Sequence, residues 1–147
     1  MNYNYFDNEE SLSKLLTDCN DIFTMIDEYA QQFMQGILVT SSDYKDVLNK
    51  LTGAYMYLEP LYTLSVSQKE NRELVFYVKS KRELEARSEK VVATSLEKES
   101  SASVEVYRRV RSILEGYVES CSKGIITCQT QLRKIEGDSR FKPVEEA

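Results

Sequence analysis

The stretch that decides the fold is Tyr107–Cys121, which reads YRRVRSILEGYVESC. From here onward apolar side chains return every three or four residues through four heptads, a spacing typical of helices that pack as in coiled coils. We therefore predict a helix over residues 103–136 with one buried seam, which packs either within a bundle or between chains. The seam consists of Tyr107, Val110, Leu114, Tyr117, Cys121, Ile125, Cys128, Leu132 and Ile135.

The same periodicity, followed outward from that helix, predicts three earlier helices over residues 7–35, 42–66 and 68–99. Gly36 is expected to end the first helix. Pro60 either kinks or ends the second, because proline lacks a backbone donor and crowds the preceding turn. No proline or glycine interrupts residues 68–99, so the third helix is expected to run unbroken.

The fold class that follows is all-α, an elongated helical bundle. A serine-rich turn near residue 100 would fold the last two helices into a long antiparallel C-terminal hairpin of coiled-coil character. Such a hairpin, with polar gaps in its apolar stripe, needs partner surface and favours a homo-oligomer. One helical domain is predicted over residues 1–137, followed by a mobile tail over residues 138–147.

Composition favours a foldable chain and argues against the common enzyme chemistries. The 147 residues are 41% hydrophobic and 29% charged, which suits one globular domain. The chain has no histidine, and its five glycines are dispersed rather than gathered in a phosphate-binding loop. No C-x-x-C motif relates Cys19, Cys121 and Cys128, so reduced, buried cysteines are expected. We expect no enzymatic activity, no cofactor and no metal site.

The sequence also bears on where the protein resides. No apolar run reaches 18 residues, so no transmembrane segment is expected. The N-terminal stretch MNYNYFDNEES is acidic and lacks the basic-then-apolar order of a signal peptide. These features predict a cytoplasmic protein, in the host cytoplasm if the protein is viral, with no membrane partner.

Charge is unevenly distributed along the chain. Residues 1–73 carry 12 acidic and 5 basic side chains, a net charge of −7, whereas residues 74–147 carry 12 acidic and 14 basic, a net charge of +2. The first 36 residues alone have a net charge of −6. This asymmetry predicts different surfaces in the two halves.

The basic side chains of the second half allow two interpretations. In the first, Arg108, Arg109 and Arg111 form a solvated, salt-bridged face, because Glu105 and Glu115 lie within one helical turn of them. In the second, residues near 90 face residues near 110 across the hairpin, and the cations share one flank that binds a phosphate backbone. The candidate nucleic-acid-binding residues are Lys79, Lys81, Arg82, Arg87, Lys90, Arg108, Arg109, Arg111 and Lys123.

The run VYRRVRSILEGYVESCSKGIITCQTQLRKIEG, with the helix before it, resembles the closing part of bacteriophage recombination mediators of the UvsY type. The resemblance extends over roughly residues 70–137 and consists of helix order, helix length and a few spacings. It implies a ring-like homo-oligomer that binds single-stranded DNA and helps load a recombinase. It includes no catalytic or nucleotide-binding motif.

Two other functions remain open on the sequence alone. One is a structural or adaptor protein, such as a virion component, scaffold or chaperone, that works through helix–helix contacts and binds a basic protein through residues 1–36. The other is an acidic inhibitor that covers the surface of a nucleic-acid-binding protein.

Overall fold

The structure, a computed structural model, describes residues 3–140. Within this range the chain is helical and has no strand, so the all-α fold class is confirmed. A short 3₁₀ turn at Tyr3–Phe6 is followed by helices α1 Glu9–Asp18, α2 Asn20–Gln35, α3 Ser41–Ala86, α4 Ala93–Ser103 and α5 Glu105–Arg140. The elongated shape and the coiled-coil character of the hairpin stay predictions. No helix in the described range is long and apolar enough to cross a membrane.

The chain forms two compact units, and α3 and α5 contribute to both of them. Of the described residues, the first unit contains residues 3–18 together with Pro60–Glu115, and the second contains Cys19–Glu59 together with residues 116–140. Core side chains of the first unit include Phe6, Leu12, Leu15, Leu61, Leu96, Val104 and Leu114. Those of the second include Phe23, Ile26, Val47, Leu51, Leu58, Val118 and Cys121. The single domain over residues 1–137 stays a prediction.

The first predicted helix, over residues 7–35, is divided at Cys19 into α1 and α2. Cys19 has φ −85° and ψ −7°, so its ψ is closer to the value found in turns than to that of an α-helix. Its side chain is fully buried, and the Tyr5 hydroxyl donates a hydrogen bond to the Asp18 carboxylate beside it. The apolar periodicity does not reveal this turn, because both helices keep a buried face.

The connection between α2 and α3 is built from two standard caps. Gly36 has φ +64°, and the N–H groups of Gly36 and Ile37 donate to the Phe33 and Gln32 carbonyls, a Schellman motif. At the start of α3 the Asp43 carboxylate accepts the Thr40 N–H, while the Thr40 hydroxyl accepts the Asp43 N–H, a reciprocal capping box. The Thr40 N–H, with that of Val39, holds the pKa of Asp43 below its ordinary value.

Pro60 does not end its helix, since α3 continues through it to Ala86. Leu58 and Leu61 on either side of the proline are 0% and 1% exposed. Their burial compensates for the hydrogen bond that proline cannot donate. The two helices predicted at 42–66 and 68–99 are therefore continuous at residue 67.

The prediction of an unbroken helix over residues 68–99 is wrong at Ala86, where α3 ends. The N–H groups of Ser88 and Glu89 donate to the Glu85 and Leu84 carbonyls at 3.1 and 3.0 Å, a second Schellman motif. Ser88 occupies its left-handed position with φ +56°. Because that position normally takes glycine, the sequence does not predict the break, and α4 begins only at Ala93.

The last helix runs longer than the predicted residues 103–136. It extends from Glu105 to Arg140, so Gly137 lies inside it. Glycine lowers helix propensity but ends a helix only where it adopts a left-handed conformation, as Gly36 does and Gly137 does not. The predicted mobile tail over residues 138–147 therefore begins within α5, and residues 141–147 lie outside the described residues.

Candidate nucleic-acid interface

The end of α3 and the segment after it carry a group of exposed cations, which we call the cationic arm, residues 79–90. The side chains of Lys79, Lys81, Arg82, Arg87 and Lys90 are all exposed. None of them forms an ion pair within the described residues, although Glu83, Glu85 and Glu89 lie between them. The arm has five cations and three carboxylates, a net charge of +2, and all of it belongs to the first unit.

Most of the other predicted contact residues are bonded to their own neighbours. Arg108 is half-buried and donates to the carbonyl oxygen and the hydroxyl of Ser101 at 3.0 and 2.5 Å. Arg111 pairs with Glu115 at 3.4 Å, which supports the salt-bridged interpretation for this side chain. Arg109 is exposed.

Lys123 belongs to the second unit and pairs with Glu119 at 3.8 Å. Both side chains are largely exposed, so this pair contributes little to stability. The structure therefore does not bring Lys123 and the cationic arm together in one unit.

The register of α3 against α5 separates the cationic arm from Arg108–Arg111. In the first unit the two helices run antiparallel, since Tyr62 contacts Glu115 and Arg72 contacts Tyr107. Arg108 therefore lies level with about residue 71, roughly 12 Å along the helix from Lys79. The expectation that residues near 90 face residues near 110 is wrong, because α3 ends at Ala86 and α4 intervenes.

Arg72 of α3, which the sequence pattern does not single out, joins the N-terminal segment to α3 and α5 in the first unit. Its Nη2 atom donates to the carbonyl oxygens of Phe6 and Asp7 at 2.7 Å each. Its guanidinium carbon lies 4.5 Å from the centroid of the Tyr107 ring, a cation–π contact. Burial raises the pKa of Tyr107 while Arg72 opposes that rise, and the Glu9 and Asp7 carboxylates reinforce it.

Beside Arg72 lies a cavity of about 650 Å³ in the first unit. Its walls carry two cations, Arg72 and Lys79, and two carboxylates, Asp7 and Glu9. The other side chains of the lining are uncharged and include Gln68, Asn71, Val75 and Phe76. Lys79 is thus both the first residue of the cationic arm and part of this cavity.

An apolar face lies next to the arm on the outside of α3. We call this surface, formed by Leu74, Val75 and Val78, the apolar face. These side chains are 60%, 65% and 37% exposed, and a groove of about 600 Å³ follows them to Arg82 and Ala86.

The predicted seam residues of α5 lie against their own chain. Tyr107, Val110, Leu114, Cys121 and Cys128 are buried, and Tyr117, Ile125, Leu132 and Ile135 are half-buried. In the second unit Tyr117 stacks on Phe23 with ring centroids 4.1 Å apart, and its hydroxyl donates to the Asp27 carboxylate at 3.0 Å. Tyr107 and Tyr117 are therefore used in packing.

The acidic side chains of residues 1–36 are all exposed; they are Asp7, Glu9, Glu10, Asp18, Asp21, Asp27 and Glu28. They are distributed over both units. The same stretch supplies core side chains to each unit, including Phe6, Leu15 and Ile26.

No protein-family model matches the chain, and neither a curated protein nor a solved structure matches it. The resemblance to recombination mediators of the UvsY type therefore stays a prediction. Among the described residues, no group of three or more cysteine or acidic side chains is arranged to hold a metal ion.

Proposed function

We propose that the protein is a non-enzymatic helical protein that binds single-stranded DNA through the cationic arm and acts as a recombination mediator, helping to load a recombinase. The observation that carries this proposal is the exposure of five cations within 12 residues, none of them in an ion pair with the described residues. Exposed, unpaired cations are free to neutralise phosphates, and the released counterions make such binding strongly salt-dependent.

Binding to a labelled single-stranded oligonucleotide, followed by fluorescence anisotropy across a salt series, tests this proposal. The informative variant is Lys81→Gln, Arg82→Gln, Arg87→Gln. We expect it to bind at least about tenfold more weakly at low salt and to show a shallower salt dependence. The slope should fall by about 0.7 for each phosphate that the variant no longer neutralises.

A matched control removes three exposed cations elsewhere, Lys14→Gln, Lys45→Gln, Lys98→Gln, with the same change in net charge. We expect this control to bind DNA only slightly more weakly than the wild type, because it lowers the net charge without removing a cation of the proposed site. If both triple variants bind like the wild type, or lose affinity equally, the cationic arm is not the binding site. If the wild type does not bind at low salt, the isolated protein is not a DNA-binding protein.

A second candidate function, a structural or adaptor protein, is favoured by the apolar face. Three large apolar side chains in adjacent turns of one helix are unusual on a solvated surface and typical of a surface that receives another helix. The partner proposed for this face is a helix of a second copy of the chain, because the sequence pattern favours self-association.

Sedimentation velocity of Val75→Glu, Val78→Glu tests this second candidate, since both positions are exposed and the fold should tolerate the change. We expect a lower mass in solution than for the wild type. Met56→Glu is the control, because Met56 is 69% exposed on the same helix but in the second unit. An unchanged mass for the double variant removes this face as a self-association surface.

A further inference from the structure

The cavity beside Arg72 has a wall chemistry that selects against a charged ligand. Arg72 and Lys79 contribute two positive charges, and Asp7 and Glu9 contribute two negative charges. If a phosphate entered, its attraction to the two cations would be offset by its repulsion from the two carboxylates. A neutral group with hydrogen-bonding edges would not be repelled by the carboxylates.

Among the uncharged polar side chains that line the cavity, those of Asn8 and Ser103 are hydrogen-bonded to backbone groups, and two carboxamides are left free. Gln68 is half-buried and Asn71 is exposed, and neither side chain has a hydrogen-bond partner among the described residues. Each carboxamide offers both donors and an acceptor, the combination that reads the edge of a base. Val75 and Phe76 add apolar wall against which a flat ring can lie.

The position of Lys79 connects this cavity to the cationic arm. A strand whose phosphates follow the arm toward Lys79 arrives at the mouth of the cavity, with its bases free to turn inward. The volume of about 650 Å³ lies within the usual range for small-ligand pockets, roughly 300–1,000 Å³.

We infer that the cavity binds one nucleobase of the strand held by the cationic arm, with the carboxamides of Gln68 and Asn71 on the edge of the base. This inference rests on the proposed DNA binding and adds to it the group that is recognised. It also supplies a reason for binding single strands, because a base within a duplex is stacked and paired and must be extruded at a cost.

The experiment compares a single-stranded oligonucleotide with an abasic strand that has the same number of phosphates. The wild type should bind the base-containing strand at least about fivefold more tightly. Gln68→Ala, Asn71→Ala should abolish that preference, leave abasic binding unchanged and keep the wild-type salt slope. Circular dichroism and a urea titration confirm that the variant is folded.

The triple variant Lys81→Gln, Arg82→Gln, Arg87→Gln is the contrasting control, because it should weaken binding to both strands by the same factor. A wild-type preference that survives in Gln68→Ala, Asn71→Ala overturns the base site while DNA binding stands. Equal wild-type binding to the two strands does the same. Failure of the wild type to bind either strand refutes the proposed function itself, and the base site with it.

Discussion

Arg72 and Tyr107 are joined by a cation–π contact of 4.5 Å, and both side chains donate hydrogen bonds to the Phe6 carbonyl. A residue of α3 and a residue of α5 thus hold the same backbone atom of the N-terminal segment. Because the acceptors are backbone carbonyls of Phe6 and Asp7, this attachment depends on the path of the chain there and not on its side chains.

Replacing Arg72 with alanine should destabilise the protein markedly. The substitution removes two charge-assisted hydrogen bonds and the cation–π contact; the Phe6 carbonyl keeps the Tyr107 hydroxyl as a donor, whereas the Asp7 carbonyl loses the Arg72 donor. The Nε–H of Arg72 is buried and has no acceptor among residues 3–140, which lowers the net contribution of the side chain. We expect a loss of about 2 kcal/mol in the free energy of unfolding, measured by urea titration with circular dichroism.

Two variants serve as controls for Arg72→Ala. Arg109→Ala, an exposed arginine on α5, should change the free energy of unfolding by less than about 0.5 kcal/mol. Arg72→Lys keeps the charge but not the planar fork and should fall between alanine and the wild type. A stability for Arg72→Ala equal to that of Arg109→Ala would show that the contact contributes nothing.

Helix content and buried faces could be predicted from this sequence, whereas several helix ends could not. The Schellman motifs after α2 and α3 share the same two hydrogen bonds, but one uses Gly36 and the other Ser88. Conversely Gly137, which resembles a stop signal, keeps a helical backbone inside α5. Which residue adopts a left-handed conformation is decided by packing on either side, and a local pattern does not contain that information.

The candidate site, too, could be predicted from the sequence only in part. The exposure of Lys81 and Arg87 follows from a charge-rich segment with strong helix formers. The bonding of Arg108 to Ser101 depends on α4, a separate helix that the sequence pattern merges with the end of α3. Arg72 carried no signal beyond a charged residue at an inward position of α3, and its acceptors lie 65 and 66 residues away.

Two glycines of α5 should respond in opposite ways to alanine. Apart from the backbone of its own helical turns, a Cβ at Gly116 would have no atom of the described residues within 4 Å, so Gly116→Ala should add up to about 1 kcal/mol through helix propensity. A Cβ at Gly124 would lie 2.5 Å from Cδ1 of Leu51, which is 2% exposed and confined. Because overpacking costs about 1–3 kcal/mol, Gly124→Ala should lose about 1 kcal/mol net in a urea titration.

The clash at Gly124 can be tested directly by shortening its neighbour. Leu51→Val removes the atom that the new Cβ would meet, so its cost should be smaller in the Gly124→Ala background than in the wild type. Additive effects of the two substitutions would contradict a direct steric conflict.

Alkaline pH should destabilise the second unit through Cys121. Burial raises the pKa of this thiol from 9.0 to about 11, so the folded state keeps its proton at a pH where the unfolded chain has lost it. The contribution of the protonated Cys121 thiol to the free energy of unfolding is therefore complete below about pH 9 and is lost between about pH 9 and 11. Burial also raises the pKa of Cys128 and the pKa of Tyr117. Deprotonation of these two groups at alkaline pH should therefore also favour the unfolded state.

The measurement is the free energy of unfolding in urea at pH 8, 9, 10 and 10.5, with Cys121→Ala alongside. The variant loses some packing and should be less stable throughout, but its stability should fall less steeply with pH. Since one pKa unit corresponds to about 1.4 kcal/mol, the wild type should lose up to about 2 kcal/mol more than the variant across this range. Parallel pH profiles would exclude Cys121 as the titrating group.

Ser88→Gly should stabilise the protein, because Ser88 has φ +56° at the end of α3. A side chain in this left-handed conformation is strained by about 1–2 kcal/mol, and glycine relieves the strain but gains freedom in the unfolded chain. The expected net gain is about 0.5–1 kcal/mol in a urea titration. Ser80→Gly, inside α3, is the matched control and should lose about 0.5 kcal/mol, since glycine is a poorer helix former than serine. A loss for Ser88→Gly similar to that of the control would mean that α3 does not end in this motif in solution.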